Sequence, residues 1–150
     1  MKATTTIINE TYKQMKARHE KEYNARFDEL KPLVFYAFGR DQQNAAIAAY
    51  KDADGKLDEL ASAGAGLMGD YTALKQLINL LDRHADELTE ALQNREFSKG
   101  AFKYEMANHE YSYTYDDEEV LNALGLEGLT DDLRECYEEA RREYLEVYSW

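Results

Sequence analysis

Three histidines, one cysteine, two short motifs and a dense set of carboxylates are the residues through which this 150-residue chain could do chemistry. His19-Glu20 and His109-Glu110 begin as a zinc-protease helix does, but Tyr23 and Tyr113 stand where the second histidine belongs. No metal-ligand set follows, and no metal or cofactor is expected. His19 and His84 lie on or beside apolar stripes, as rim or hydrogen-bonded core residues do. His109, between Asn108 and Glu110, is the best placed for acid–base work, so Asn108, His109 and Glu110 are kept as residues of possible function. No partner nucleophile is visible, and an enzyme is not expected. Cys136 falls on an apolar helix face with no cation predicted beside it, where a thiol is inert.

Two motifs invite ligand readings. Gly64-Ala65-Gly66-Leu67-Met68-Gly69 matches the glycine pattern that lets backbone amides at a helix start face a pyrophosphate. Its context fails: no β-branched run precedes it, the acidic residue due about 20 positions later falls inside a helix, and Asp70 would repel phosphate. A glycine-centred hairpin is the preferred reading. Asp52-Ala53-Asp54-Gly55 resembles the middle of a calcium loop, but Tyr50 and Ala61 occupy two indispensable ligand positions. A turn closed by aspartate side chains is expected there instead.

The carboxylates are the distinctive set. Asp116, Asp117, Glu118 and Glu119, then Asp131, Asp132, Glu135, Glu138, Glu139, Glu143 and Glu146, recur every three or four residues, about 5 Å of helix rise. Phosphates along a DNA strand recur on a comparable scale. Such a row could occupy the cationic groove of a nucleic-acid enzyme, with Tyr111, Tyr113 and Tyr115 as aromatic anchors if exposed. The plain alternative is a solvated face that maintains solubility.

These residues must be positioned by a few elements. Ile8, Tyr12, Met15, His19, Tyr23, Phe27 and Leu30 share one face of an N-terminal helix over residues 6–30, ended by Pro32. Leu33 to Phe38 predicts a buried strand, and Asp41 is the expected cap of a helix over Gln42 to Lys51. Asp70 caps a long helix whose Tyr71, Leu74, Ile78, Leu81, Ala85, Leu88 and Leu92 form a regular seam, either for the core or for self-association. A helix over Phe97 to Tyr111 places Phe97, Ala101, Tyr104 and Asn108 on one side, and Tyr111 to Tyr115 alternates as a strand does. Asp116 with Glu119, or Asp117 alone, offers the cap of a helix through Leu121 and Leu124 that Gly125 ends. Thr130 opens a final helix with Leu133, Cys136, Tyr137, Ala140, Tyr144, Val147 and Tyr148 on its buried face. The expectation is an α+β, mainly α-helical single domain over residues 1–150, with a small antiparallel sheet or hairpin. Its parts are the N-terminal helix, a small-sheet and glycine-turn region over 33–69, a helical region over 70–110 and an acidic part over 111–150.

Composition narrows the class. A net charge of −12 argues against direct binding of nucleic acid or anionic membrane. A basic partner is the complement. Residues 1–100 carry 14 basic and 16 acidic side chains, whereas 101–150 carry 4 and 14, so the excess gathers in the last third with seven of the 12 tyrosines. One cysteine, one proline and no long apolar run exclude disulfide scaffolds, collagen and membrane spans. The first 20 residues have no signal-peptide core, so a cytoplasmic location, in a reducing cytosol, is expected.

The segments Phe35 to Gln42, Ala63 to Gly66, Phe97 to Tyr111 and Leu121 to Leu126 carry a resemblance. Over about residues 33–126, best at Asn108-His109-Glu110-Tyr111, the chain resembles an uncharacterised family of small proteins encoded by phages, plasmids and conjugative elements of gut bacteria. The resemblance implies strand-like flanks for the glycine turn and a mobile-element setting, with no chemistry to carry over. In that setting, the expected function is a protein-binding inhibitor of a host nucleic-acid-processing defence enzyme, of anti-restriction or anti-CRISPR type, acting on its basic surface as monomer or homodimer. The alternatives are a small nucleotide-binding enzyme or sensor using the glycine turn and His109, and a helical self-association module.

Overall fold

Thr11 and Gln14 begin the first helix reciprocally: the Gln14 amide donates to the Thr11 hydroxyl at 3.2 Å and the Thr11 amide to the Gln14 carboxamide at 2.9 Å. This α1 runs Tyr12–Leu30 in the computed structural model, which describes residues 10–148; Ile8 and the expected start at residue 6 lie outside them. The chain divides into two compact units, Met1–Arg18 with Ala85–Trp150, and His19–His84. Seven α-helices and one three-stranded antiparallel sheet are present among the described residues, a mainly α-helical α+β fold.

In the unit His19–His84, β1 (Val34–Tyr36), β2 (Leu60–Gly64) and β3 (Leu67–Asp70) form a sheet in the order β1-β3-β2. The strand expected to be buried is thus a short edge strand, with Val34 inside and Tyr36 exposed. Gly69 pairs with Val34 on one side and Ala61 on the other; a Cβ there would lie 2.5 Å from the Leu33 carbonyl oxygen, so only glycine lets the strands approach. Helix α2 (Arg40–Asp52) is capped at Gly39, and Asp41 sits inside its first turn rather than before it. Its end is closed by backbone bonds, Gly55 N–H to Tyr50 O and Asp54 N–H to Lys51 O, not by the aspartate side chains.

Helix α3 (Tyr71–Ala91) starts with the Asp70 carboxylate accepting from the Ala73 amide at 3.4 Å, as expected. Its buried face differs from the expected seam. Ala73, Leu74, Leu77, Leu80 and His84 are buried, whereas Tyr71, Ile78, Leu81 and Ala85 are exposed. Apolar residues cover a wide arc of this helix, so periodicity alone offers two stripes. The packing of Val34 and Leu67 against Ala73, Leu74 and Leu77 selects one. His84 Nε2–H donates to the Glu22 carboxylate across 2.7 Å while its ring stacks 3.8 Å from that of His19, the hydrogen-bonded histidine expected.

In the other unit, α4 (Arg95–Asn108) is capped by Asn94, whose side chain accepts from the Phe97 amide. It buries Phe97, Ser98, Ala101, Phe102, Glu105 and Met106 and leaves Asn108 exposed, a face rotated from the expected one. Residues 111–115 are not a strand. Tyr111–Thr114 form a single helical turn, α5, whose amides bond back to Glu110 and Tyr111. The alternating tyrosines have no strand to pair with, and the Tyr111–Tyr115 ring contact at 5.7 Å is an i,i+4 helical one. Helix α6 (Asp117–Ala123) is capped by Asp116 through the Glu119 amide at 3.2 Å. Gly125, at φ +71°, ends it with Leu126 N–H to Leu121 O and Gly125 N–H to Asn122 O. Thr130 caps α7 (Asp131–Tyr148) through the Leu133 amide. Cys136, Tyr137, Ala140 and Tyr144 pack against Phe97, Phe102 and Met106, but Val147 and Tyr148 are exposed, contrary to the expected face.

Candidate functional site

Between Lys103 and Arg134 the chain has nine carboxylates and no lysine or arginine. Alpha-helix α5 stands in this stretch, bounded by two non-glycine residues in the left-handed region, Glu110 at φ +52° and Tyr115 at +51°. Such backbone positions cost about 1–3 kcal/mol and persist only where surrounding contacts hold them. Here Tyr111 is the anchor, 1% exposed, its hydroxyl donating to Asp117 at 2.5 Å. Asp117 also accepts from Tyr137 at 2.6 Å, and the Arg141 charge opposes the upward shift of the Tyr111 pKa. Burial and then the bond to Asp117 push both tyrosines' pKa values up, so they remain protonated donors. Tyr111 and Asp117 are thus internal supports rather than contact residues. Tyr113 and Tyr115, at 71% and 57% exposed, point outward beside exposed Asp116, Glu118 and Glu119.

Two of the residues singled out, Asn108 and His109, lie on one buried carboxylate that sequence reasoning missed. Glu105 is fully buried and accepts from Tyr12 at 2.5 Å, Lys16 at 3.2 Å and Asn108 at 3.2 Å. Burial pushes its pKa up, but the bonds from Tyr12 and Asn108 and the Lys16 charge outweigh it, and the net direction is down. His109 Nε2 faces the same carboxylate at 3.4 Å, buried and without a hydrogen bond, while Nδ1 lies 3.4 Å from Glu119. Both ring nitrogens therefore meet carboxylates, and neither has the open line to a substrate that a general base needs. Glu110 contributes its backbone turn and an exposed side chain.

The carboxylate row of α7 is split. Glu139 lies 2.8 Å from Arg95 and 2.6 Å from Lys99; Glu143 lies 2.7 Å from Lys99 and 2.5 Å from Lys103; Glu135 reaches Arg95 at 3.4 Å. One cation per turn of α4 meets one carboxylate per turn of α7. The Lys99 and Arg95 bonds hold the Glu139 carboxyl at about 2, and Lys103 and Lys99 hold Glu143 below its ordinary range. These three glutamates thus belong to an internal ladder. Asp131, Asp132, Glu138 and Glu146 remain exposed, with no ion pair among the described residues. Cys136 is buried under the ladder; burial raises its thiol pKa against the opposing charges of Arg95 and Lys99. The glycine motif is a hairpin, with the four residues of β3 between Gly66 and α3, so its amides do not lie at a helix start.

A sequence profile described as Family of unknown function (DUF7659) matches residues 11–143. The chain belongs to that family. No curated protein and no solved structure matches it. The family match is wider than the resemblance over residues 33–126: it takes in α1 and most of α7, hence both Tyr12–Glu105 and the ladder.

Glu105 escaped sequence reasoning because it lies among apolar residues at a spacing that a surface glutamate also adopts. Its one legible signal was position: Ala101 and Phe102 precede it by four and three residues on the same helix face. Tyr12 and Lys16 are some 90 residues away in sequence, and no local pattern ties them to it.

Proposed function

We propose that this protein acts by binding a basic protein surface through Tyr113, Tyr115 and the carboxylates around them, Asp116, Glu118 and Glu119, with Asp131, Asp132, Glu138 and Glu146 extending the negative field. The observation that carries this reading is the exposure of two tyrosines, Tyr113 on a one-turn helix and Tyr115 at its end, held by the part-buried Tyr111–Asp117–Tyr137 network, in a stretch with no lysine or arginine of its own. Tyrosine supplies large contact area at small entropic cost, and the unpaired carboxylates steer a cationic partner. The partner class we favour is a host nucleic-acid-processing defence enzyme, whose phosphate-binding groove is cationic. The mimicry then rests on fewer carboxylates than the whole row, because Glu135, Glu139 and Glu143 are engaged internally.

The test is capture of partners from the native host with the wild-type protein and with Tyr113→Ala/Tyr115→Ala and Glu118→Lys variants. Captured partners are then titrated between about 0.1 and 1 M salt, where the screening length falls from about 10 to about 3 Å. Loss of the same basic protein with both variants, and weakening with salt, is expected. Affinity that is flat with salt or indifferent to both variants overturns the reading.

A second reading, self-association, is favoured by the exposure of Tyr71, Ile78 and Leu81 on one side of α3. Light scattering should then show a concentration-dependent dimer that Ile78→Asp abolishes. A monomer at every concentration removes it.

A further inference from the structure

The end of α3, the start of α4, the 124–130 turn and the first turns of α7 enclose a cavity of about 590 Å³. That lies within the range of about 300–1,000 Å³ common for small-molecule sites. Leu92, Leu126 and Leu133 wall it. Its lining contains polar side chains; Gln93 and Thr130 have uncharged donors to offer, while the donors of three others are already used. The Ser98 hydroxyl donates to the Leu92 carbonyl, the Cys136 thiol to the Arg95 carbonyl at 3.5 Å, and the Thr89 hydroxyl to the Ala85 carbonyl at 3.0 Å. Each hydrogen bond turns a polar side chain into an effectively apolar surface toward the cavity. Arg95, also in the lining, is held by Glu139 at 2.8 Å and Glu135 at 3.4 Å, which neutralises its charge locally. Elimination leaves Asp132 as the charged lining group with no cation or donor of its own among the described residues.

From this we infer that the cavity is a binding site for a small organic cation: an apolar body, aromatic or aliphatic, against Leu92, Leu126 and Leu133, with an ammonium head at the Asp132 carboxylate. An anionic ligand meets the Asp132 charge with only the neutral donors of Gln93 and Thr130 to offset it, and a neutral one gains no charge pairing from Asp132. The site shares Asp132 with the negative field proposed above but needs neither Tyr113 nor Tyr115.

Titration of the full chain with phenethylamine, 2-phenylethanol and 3-phenylpropanoate, followed by methyl NMR of Leu92, Leu126 and Leu133, tests this. Phenethylamine should shift these methyls saturably and bind about fivefold tighter than the alcohol, the scale of one exposed ion pair. The propanoate, repelled by Asp132, should bind more weakly than the alcohol. Asp132→Asn, at an exposed position, should bring the amine to the level of the alcohol, and Leu133→Trp should block both. No saturable shift with phenethylamine, equal affinity for all three probes, or amine affinity unchanged in Asp132→Asn would overturn the assignment. Partner capture by the Leu133→Trp variant, measured in parallel, separates failure of this site from failure of the tyrosine surface.

Discussion

The Tyr12 hydroxyl donates to the Glu105 carboxylate across 2.5 Å, joining the first turn of α1 to the buried face of α4. Removing the donor by Tyr12→Phe should cost about 1.5–3 kcal/mol, the range for a hydrogen bond to a charged group. Glu105→Ala should cost more, about 3–5 kcal/mol, because it strands the donors that meet there. Urea denaturation at neutral pH measures both, and a loss below about 0.5 kcal/mol for Glu105→Ala, the scale of surface changes, would refute the buried network.

The same carboxylate sets a pH dependence. Its folded-state pKa lies below the ordinary range through the bonds from Tyr12 and Asn108 and the charge of Lys16, which outweigh burial. A depressed pKa contributes stability that is complete above the unfolded value, about 4.3, and is lost as pH falls toward the folded value. Stability measured from pH 7 downward should therefore decline less steeply below about pH 4 in Glu105→Gln than in the wild type.

Adjacent aspartate and glutamate have opposite roles in α6. Asp117→Ala removes the acceptor of both Tyr111 and Tyr137 and should cost about 2–3 kcal/mol. Glu118→Lys, exposed one residue later, should change stability by no more than about 0.5 kcal/mol. Thermal denaturation of the two variants compares a structural carboxylate with a surface one.

The ladder between α4 and α7 predicts unequal titration of neighbouring glutamates. Glu139 should titrate at about 2, and Lys99→Met should move it upward toward the ordinary value. Carboxyl ¹³C NMR resolves the midpoints. An ordinary midpoint for Glu139 in the wild type would mean that the ladder does not form in solution.

Two glycines predict opposite signs. Gly69→Ala drives a Cβ to 2.5 Å from the Leu33 carbonyl oxygen in the sheet centre and should destabilise by about 1–3 kcal/mol. Gly100→Ala, inside α4 with open space at its Cβ, should stabilise by up to about 1 kcal/mol. Both are measured by thermal or urea unfolding.

Local chemistry was legible from residue order alone. The Asp116 and Thr130 caps, the Gly125 stop, the Asp70 start and the glycine hairpin each depend on bonds within about five residues, and each stands where its residue type requires. Net charge and its concentration after residue 100 were equally fixed by composition. Tertiary packing decided the rest. Tyr111 to Tyr115 alternate as a strand does, but without a pairing edge they coil into a turn that buries Tyr111 and presents Tyr113. The α3 residues offer two apolar stripes, and contact with Val34 and Leu67 selected Ala73–Leu77 over Ile78–Leu81. Which carboxylates are free is the sharpest case: Glu138 and Glu139 are neighbours in sequence, but the 100° turn between them points one to water and the other at Lys99, 40 residues away. Periodicity assigns a residue to a face; only the packed neighbour determines whether that face meets solvent, a cation or a core.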